Sequence, residues 1–233
     1  MFMQYTTLLF DLDDTLFDFE ASEMRAIGLL MRNYGIEPTQ EQYRLYSEIN
    51  ASKWKKLEKG ELTRGELGVQ RFADFFGCLC LNADPTQANR MYMDYLSLPG
   101  ILLDGVLEVC EKLSEIYSLY LITNGTGFVQ RGRLLNSPLN EYVSGVFISE
   151  DIGFNKPAKG FFDYVFAHID EKDKSKMLVI GDSLSSDIAG ARNSNLDACW
   201  VDRGSLGKGD EAKFVIKSVT ELPEILKRQT KSI

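Results

Sequence analysis

Carboxylates crowd one short segment near the start of the chain, Asp11-Leu12-Asp13-Asp14-Thr15. Three more polar segments follow: Thr123-Asn124-Gly125, Asn155-Lys156-Pro157, and Gly181-Asp182-Ser183 with Asp187 close behind. Taken singly, each reads as a turn or a helix cap. Taken together they supply carboxylates, small hydroxyls, an amide and a lysine. If Asp11, Asp13 and Asp182 converge, their charges repel, and the set needs a cation or a shared proton. Hard oxygen ligands without histidine suit Mg²⁺, which keeps several waters and completes its shell with substrate phosphate. Lys156 and Thr123 would then offer a point charge and a hydroxyl to the remaining phosphate oxygens. The single histidine, His168, excludes mechanisms that need two imidazoles.

Apolar runs place these segments. Tyr5–Phe10, Ser118–Ile122 and Met177–Ile180 read as strands that end at polar segments, and Val146–Ser149 as a strand that leads through Glu150 and Asp151 to Asn155-Lys156-Pro157. Cys199–Val201 and Phe214–Ile216 read as two more strands. Helical spacing marks Val106 to Ile116, Phe128 to Leu135, Lys159 to Ile169, Ser185 to Ser194 and Leu222 to Lys227. Between the first strand and Leu98-Pro99-Gly100 there is no strand signal. Four helices fill that stretch, one of them opening at Pro85 behind an Asp84 cap. Strands alternating with helices predict an α/β, doubly wound parallel sheet with an inserted all-helical domain. The expected core is residues 1–17 and 99–233, and the expected insertion is residues 18–98. In such sheets ligands bind beyond the carboxyl ends of the strands.

Composition narrows the function. The net charge of −8 argues against a nucleic-acid or anionic-membrane surface. No apolar run approaches the length of a membrane span. The N-terminus has no basic region or small-residue cleavage site, so no secretory leader is expected. Cys78, Cys80, Cys110 and Cys199 form no Cys-x-x-Cys pair and read as reduced thiols, so a cytoplasmic protein is expected.

The four polar segments, in this order, resemble the motifs of the haloacid dehalogenase-like (HAD) hydrolase superfamily. Asp11-Leu12-Asp13-Asp14-Thr15-Leu16 resembles its first motif and Thr123-Asn124 its second. Lys156-Pro157 resembles the third, and Gly181-Asp182-Ser183-Leu184-Ser185-Ser186-Asp187 the fourth. The resemblance implies that Asp11 is a nucleophile forming an aspartyl-phosphate, and that Asp13 is the general acid and base. It implies phosphate binding by Thr123, Asn124 and Lys156. It also implies Mg²⁺ held by Asp11, the Asp13 main-chain carbonyl and Asp182, with Asp187 orienting the metal waters or Lys156. An acid role for Asp13 needs a proton near neutral pH, which crowded carboxylates would favour. The dehalogenases that name the superfamily lack an Asp at the position of Asp13, so phosphate chemistry is favoured over carbon–halogen chemistry.

The insertion resembles the family's C1 cap, which implies a small phosphorylated metabolite as substrate and a monomer or small homo-oligomer. The opening segment, the Trp54 region, Thr63 and Arg71-Phe72 are similar to a pyrimidine 5′-nucleotidase branch. Trp54 and Arg71 are therefore cap substrate candidates. Four other readings weigh less. A sugar- or glycolate-phosphate phosphatase or phosphomutase shares the same four motifs. A non-catalytic HAD-fold regulator would be expected to have lost Asp11 or a metal Asp. Gly181-Asp182-Ser183-Leu184 also spells a serine-esterase signature, but it lies late in the chain and its only histidine precedes it. Gly125-Thr126-Gly127 mimics a dinucleotide fingerprint, but Gln130 stands where a third glycine is needed.

Overall fold

The apolar run ahead of Asp11 becomes the centre of a sheet. The structure is a computed structural model describing residues 5–204 and 211–230; residues 1–4, read above for a leader, lie outside them. The strands are β1 (Thr7–Phe10), β2 (Ser118–Thr123), β3 (Gly145–Ile148), β4 (Met177–Gly181), β5 (Asp197–Val201) and β6 (Phe214–Ile216). Their order is β3-β2-β1-β4-β5-β6 and every pairing is parallel. Phe10 stands opposite Leu121 on β2 and Ile180 on β4. That register brings the residues just past Phe10, Leu121 and Ile180 to one edge.

Both faces of the sheet are covered, as the near-continuous apolar strands require. Leu8, Phe10, Leu121 and Ile180 pack on one side with Val109 and Leu113 of α5 (Val106–Ser114). Leu9, Ile122 and Val179 pack on the other with Phe161, Phe162 and Val165 of α8 (Lys159–His168). The remaining helices of this unit are α6 (Gly127–Leu135), α7 (Ser149–Ile152), α9 (Ala189–Asn193) and α10 (Leu222–Thr230).

One expected helix differs. Ser185 to Ser194 reads as a single α-helix, but Leu184–Ile188 is wound as a π-helix and only Ala189–Asn193 is α. The Ile188 N–H donates to the Ser183 carbonyl (3.1 Å), which widens the turn. The wide turn swings Asp187 inward over Gly181, where its Oδ2 lies 2.3 Å from the place a Cβ would occupy. A side chain at Gly181 would therefore displace Asp187.

The chain divides into two compact units, Met1–Phe19 with Pro99–Ile233, and Glu20–Leu98. The second unit is helical, with α1 (Phe19–Asn33) entering it, then α2 (Gln40–Glu58), α3 (Arg64–Cys78) and α4 (Pro85–Leu96). Thr39 and Thr63 each form a capping box, with Gln42 and Glu66, and Asp84 caps the helix that opens on Pro85. Its core is aromatic. Tyr46, Phe72, Phe75 and Tyr92 are all fully buried, and the Tyr46 ring centroid lies 5.3–5.5 Å from the other three.

Candidate active site

Asp11 is the first residue beyond β1, and its N–H is fixed to the Ile180 carbonyl (2.8 Å). Thr123 ends β2, and Asp182 follows β4. These three strands are neighbours, so the sheet delivers a carboxylate, a hydroxyl and a second carboxylate side by side.

Lys156 ties this edge together. Its buried ammonium donates to Asp11 Oδ1 (2.6 Å), Asp187 Oδ1 (2.6 Å) and the Ile122 carbonyl (2.8 Å). An ammonium has three protons, and all three are used. Burial alone would lower the Lys156 pKa, but the charges and hydrogen bonds of Asp11 and Asp187 outweigh it and raise it. Asp187 is fully buried and also accepts from the Ser183 N–H (3.1 Å).

Asp11, Asp182 and Asp187 each present a carboxylate oxygen within 4.8 Å of the others. Burial raises the pKa of Asp11 well above the usual carboxylate range, with Asp187 and Asp182 adding to it against Lys156. Burial, then Asp187 and Asp14, push Asp182 up to about 7, with Lys156 opposing. Asp11 and Asp182 thus hold protons more readily than ordinary carboxylates even with Lys156 beside them, and further positive charge would favour their ionised forms. The donors are hard oxygens, so the cluster fits a divalent cation of the Mg²⁺ class.

Asp13 departs from expectation. Its carboxylate is not in that cluster, and the acid beside it is Asp14. Gln130 Nε2 donates to Asp13 Oδ2 (2.7 Å), and the Arg133 guanidinium forms an ion pair with Oδ1. The neighbouring acid with a raised pKa is Asp14, pushed to about 6 by burial and Asp13 against the pull of Arg203. Arg203 pairs with Asp14 Oδ1 at 2.7 Å.

Asn124 also differs from a simple phosphate ligand. Its amide donates to the Lys156 carbonyl (2.9 Å) and accepts from the Lys156 N–H (2.8 Å), so it positions the lysine main chain. Thr123 Oγ1 accepts from the Gly125 N–H (3.0 Å) and from Gln130 Nε2 (3.0 Å). Ser183 is a cap, accepting from the Ser186 N–H (3.2 Å), as a turn residue should.

The two candidates in the helical unit separate. Trp54 is half-buried, with the Arg64 guanidinium 5.6 Å from its ring centroid. Arg71 is buried, donating to Asn50 Oδ1 (3.1 Å) and Asn89 Oδ1 (2.7 Å) and lying 4.5 Å from the Tyr92 ring centroid. Asn50 in turn donates to the buried Glu23 (2.7 Å). Both Nη groups of Arg71 are thus committed to an internal polar network, as buried donors need partners.

Sequence reasoning passes over Gln130, Arg133 and Arg203. The spacing of Gln130 and Arg133 puts them on one face of α6. That spacing is the available signal, but it does not say which distant residue they meet.

The family model described as haloacid dehalogenase-like hydrolase matches residues 5–195. The HAD-hydrolase YfnB of Bacillus subtilis is 37% identical over 198 residues, covering 85% of this chain and 84% of that protein. Its crystal structure, bound to magnesium, superposes with a TM-score of 0.90 at 36% identity, covering 96% of this chain and 99% of that one. The pyrimidine 5′-nucleotidase PynA of Streptococcus pneumoniae is 36% identical over 212 residues, covering 91% of this chain and 90% of its own. The pyrimidine 5′-nucleotidase YjjG of Escherichia coli is 27% identical over 226 residues, covering 96% and 99%. With the parallel sheet, the four polar segments at its edge and these matches in hand, the chain belongs to the haloacid dehalogenase-like hydrolases.

Proposed function

We propose that the chain is a Mg²⁺-dependent phosphatase that hydrolyses small phosphate monoesters, nucleoside 5′-monophosphates and pyrimidine ones in particular. The observation that carries this reading is the Asp11–Lys156–Asp187 chain beside Asp182, with Thr123 and Asp13 at the same strand edge. Support for the substrate class comes from two relatives named pyrimidine 5′-nucleotidases that match over nearly their full lengths.

Asp11 Oδ attacks phosphorus, a phosphorus–oxygen bond forms, and the bond to the leaving oxygen breaks. The leaving oxygen takes a proton from Asp13. In the second half Asp13 takes a proton from water as that water attacks phosphorus, and Asp11 leaves. Asp11 and Asp182, with the Asp13 carbonyl, would hold Mg²⁺, and Asp187 stands next to both carboxylates. The cation supplies positive charge against the phosphoryl oxygens. Asn124 orients Lys156, and Lys156 holds Asp11 in place for attack. For Lys156 to meet a phosphate oxygen, one of its three present bonds must be exchanged.

These core groups meet only a phosphoryl group, which every monoester carries. We therefore assign discrimination among monoesters to the Glu20–Leu98 unit. The four cysteines are free thiols, which supports a reducing, cytoplasmic setting. No helix among the described residues is long and apolar enough to cross a membrane.

The test is a panel of phosphate monoesters assayed for free phosphate with Mg²⁺ and with a chelator. Pyrimidine 5′-monophosphates should rank above sugar phosphates, and the chelator should stop release. Phosphate appearing on a second hydroxyl, rather than free, would replace the hydrolase reading with a phosphotransferase.

A further inference from the structure

We propose that Arg133 and Gln130 are the positioning pair for Asp13, locking its carboxylate in one orientation and tying it to Thr123. This rests on the reading of Asp13 as the group that passes a proton to and from the reacting oxygen.

Asp13 needs such a device. Its side chain is 27% exposed, whereas Lys156 and Asp187 are enclosed. It lies in a turn after β1, where a carboxylate with staggered alternatives is not held by packing alone. Two donors one helical turn apart on α6 take one oxygen each, Gln130 on Oδ2 and Arg133 on Oδ1. A carboxylate gripped at both oxygens cannot rotate without losing a bond.

The clamp is itself anchored. The Arg133 side chain is fully buried, and its guanidinium sits 4.6 Å from the Phe17 ring centroid. Phe17 belongs to the same turn as Asp13, since the Asp14 N–H donates to the Phe17 carbonyl (2.8 Å). Arg133 Nη1 also donates to Gln130 Oε1 (3.2 Å), which fixes the amide orientation. Gln130 Nε2 then serves Thr123 and Asp13 together. Room for that amide comes from Gly125, where a Cβ would stand 2.1 Å from Gln130 Nε2.

Packing alone does not account for a guanidinium here. Burying one is costly unless it is paired, and an apolar side chain of similar volume fills such a space as well or better. The partner that Arg133 meets is the carboxylate whose placement the chemistry needs.

The pair should matter when the leaving oxygen requires a proton and not otherwise. The experiment measures leaving-group release in a single turnover of the Mg²⁺-loaded protein. It compares a nucleoside 5′-monophosphate, an alkyl ester, with nitrophenyl phosphate, whose leaving group departs as a stable anion. Arg133→Met should slow the alkyl ester ~100-fold, the scale of general acid catalysis, and the aryl ester less than ~5-fold. Arg133→Lys should recover part of the loss. In an Asp13→Asn background, Arg133→Met should add little, because the two act through one group. Equal slowing of both esters, or none, overturns the proposal. Should Arg133→Met fail to fold by circular dichroism, Gln130→Met decides in its place, with ~10-fold selective slowing expected and equal slowing overturning. Asp11→Asn keeps the two questions apart. If it stays active, the aspartyl-phosphate reading falls. If it is inert while both esters slow alike in Arg133→Met, only the clamp falls.

Discussion

Asn124 and Lys156 exchange two hydrogen bonds, the asparagine amide donating to the lysine carbonyl and accepting from the lysine N–H. A side chain at the end of β2 thereby fixes the main chain that launches the buried ammonium. Asn124→Ala would leave both main-chain groups without that partner, at a cost of about 1–3 kcal/mol if they stay buried. It is expected to lower the melting temperature by several degrees and kcat by ~10-fold or more, with a smaller change in KM. Steady-state kinetics beside a thermal melt check this.

Lys156→Met should destabilise the fold as well as stop turnover. The change leaves Asp11 and Asp187 buried without their shared cation, a loss of roughly 3–5 kcal/mol by analogy with other broken buried pairs. The deficit should shrink at low pH, where the stranded carboxylates take up protons. Urea melts at pH 5 and pH 8 measure it, and an equal deficit at both would contradict the charge argument.

Asp11→Asn keeps an acceptor for Lys156 and removes one charge from a repelling set. Melting temperature should change little, while turnover falls by at least ~10³-fold. Hydroxylamine should convert Asp11 of wild-type protein caught during turnover to its hydroxamate, with release of phosphate, and leave the variant unmodified.

Removing the metal should make stability depend on pH in a set direction. Asp182 rises from an ordinary 3.8 to about 7 in the folded chain. Between those values the folded state therefore holds more protons than the unfolded one, and stability falls as pH rises. In chelator, the melting temperature should drop on going from pH 4 to pH 7 by this contribution. Mg²⁺ should bind weakly at pH 5 and more tightly at pH 8, releasing protons as it binds. Titration calorimetry in two buffers of different ionisation heat counts those protons.

Arg71→Ala tests the helical unit. With Arg71 joined to Asn50 and Asn89 and, through Asn50, linked to Glu23, the variant should lose about 2–4 kcal/mol by leaving buried polar groups unpaired. The ranking of monophosphates should stay as in wild type. A changed ranking at unchanged stability would return Arg71 to the substrate.

Much of this was readable in the chain. Leu8, Leu9 and Phe10 are a buried run with no polar break, which only a strand covered on both faces explains. Thr39, Thr63 and Asp84 announce helix starts by their own chemistry. Three of the four polar segments could be placed because each directly follows such a run, and Lys156 because its segment comes one short helix after β3. What could not be read is where side chains turn after the strand ends. Asp13 faces Arg133 and Gln130 because α6 presents them, a pairing between segments far apart in the chain. Leu184–Ile188 winds wide where Asp187 meets Lys156, and no local propensity announces that long-range pairing. Arg71 is a substrate candidate on resemblance alone, which does not say whether a side chain is enclosed; the packed unit shows it buried.

The place of β1 in the sheet has a consequence for how the protein comes into being. Thr7 is made well before both of its neighbours, Ser118 on one side and Met177 on the other. The central strand therefore waits until β4 is made, whereas Glu20–Leu98 is one contiguous stretch of chain. Pairings between segments this far apart are the slow part of folding, since long loops close before any contact repays them. Asp11 follows directly on that strand, so the carboxylate reaches Lys156 only as the sheet closes around it. A chain interrupted before β4 holds the opening residues of the site but has no edge on which to assemble them.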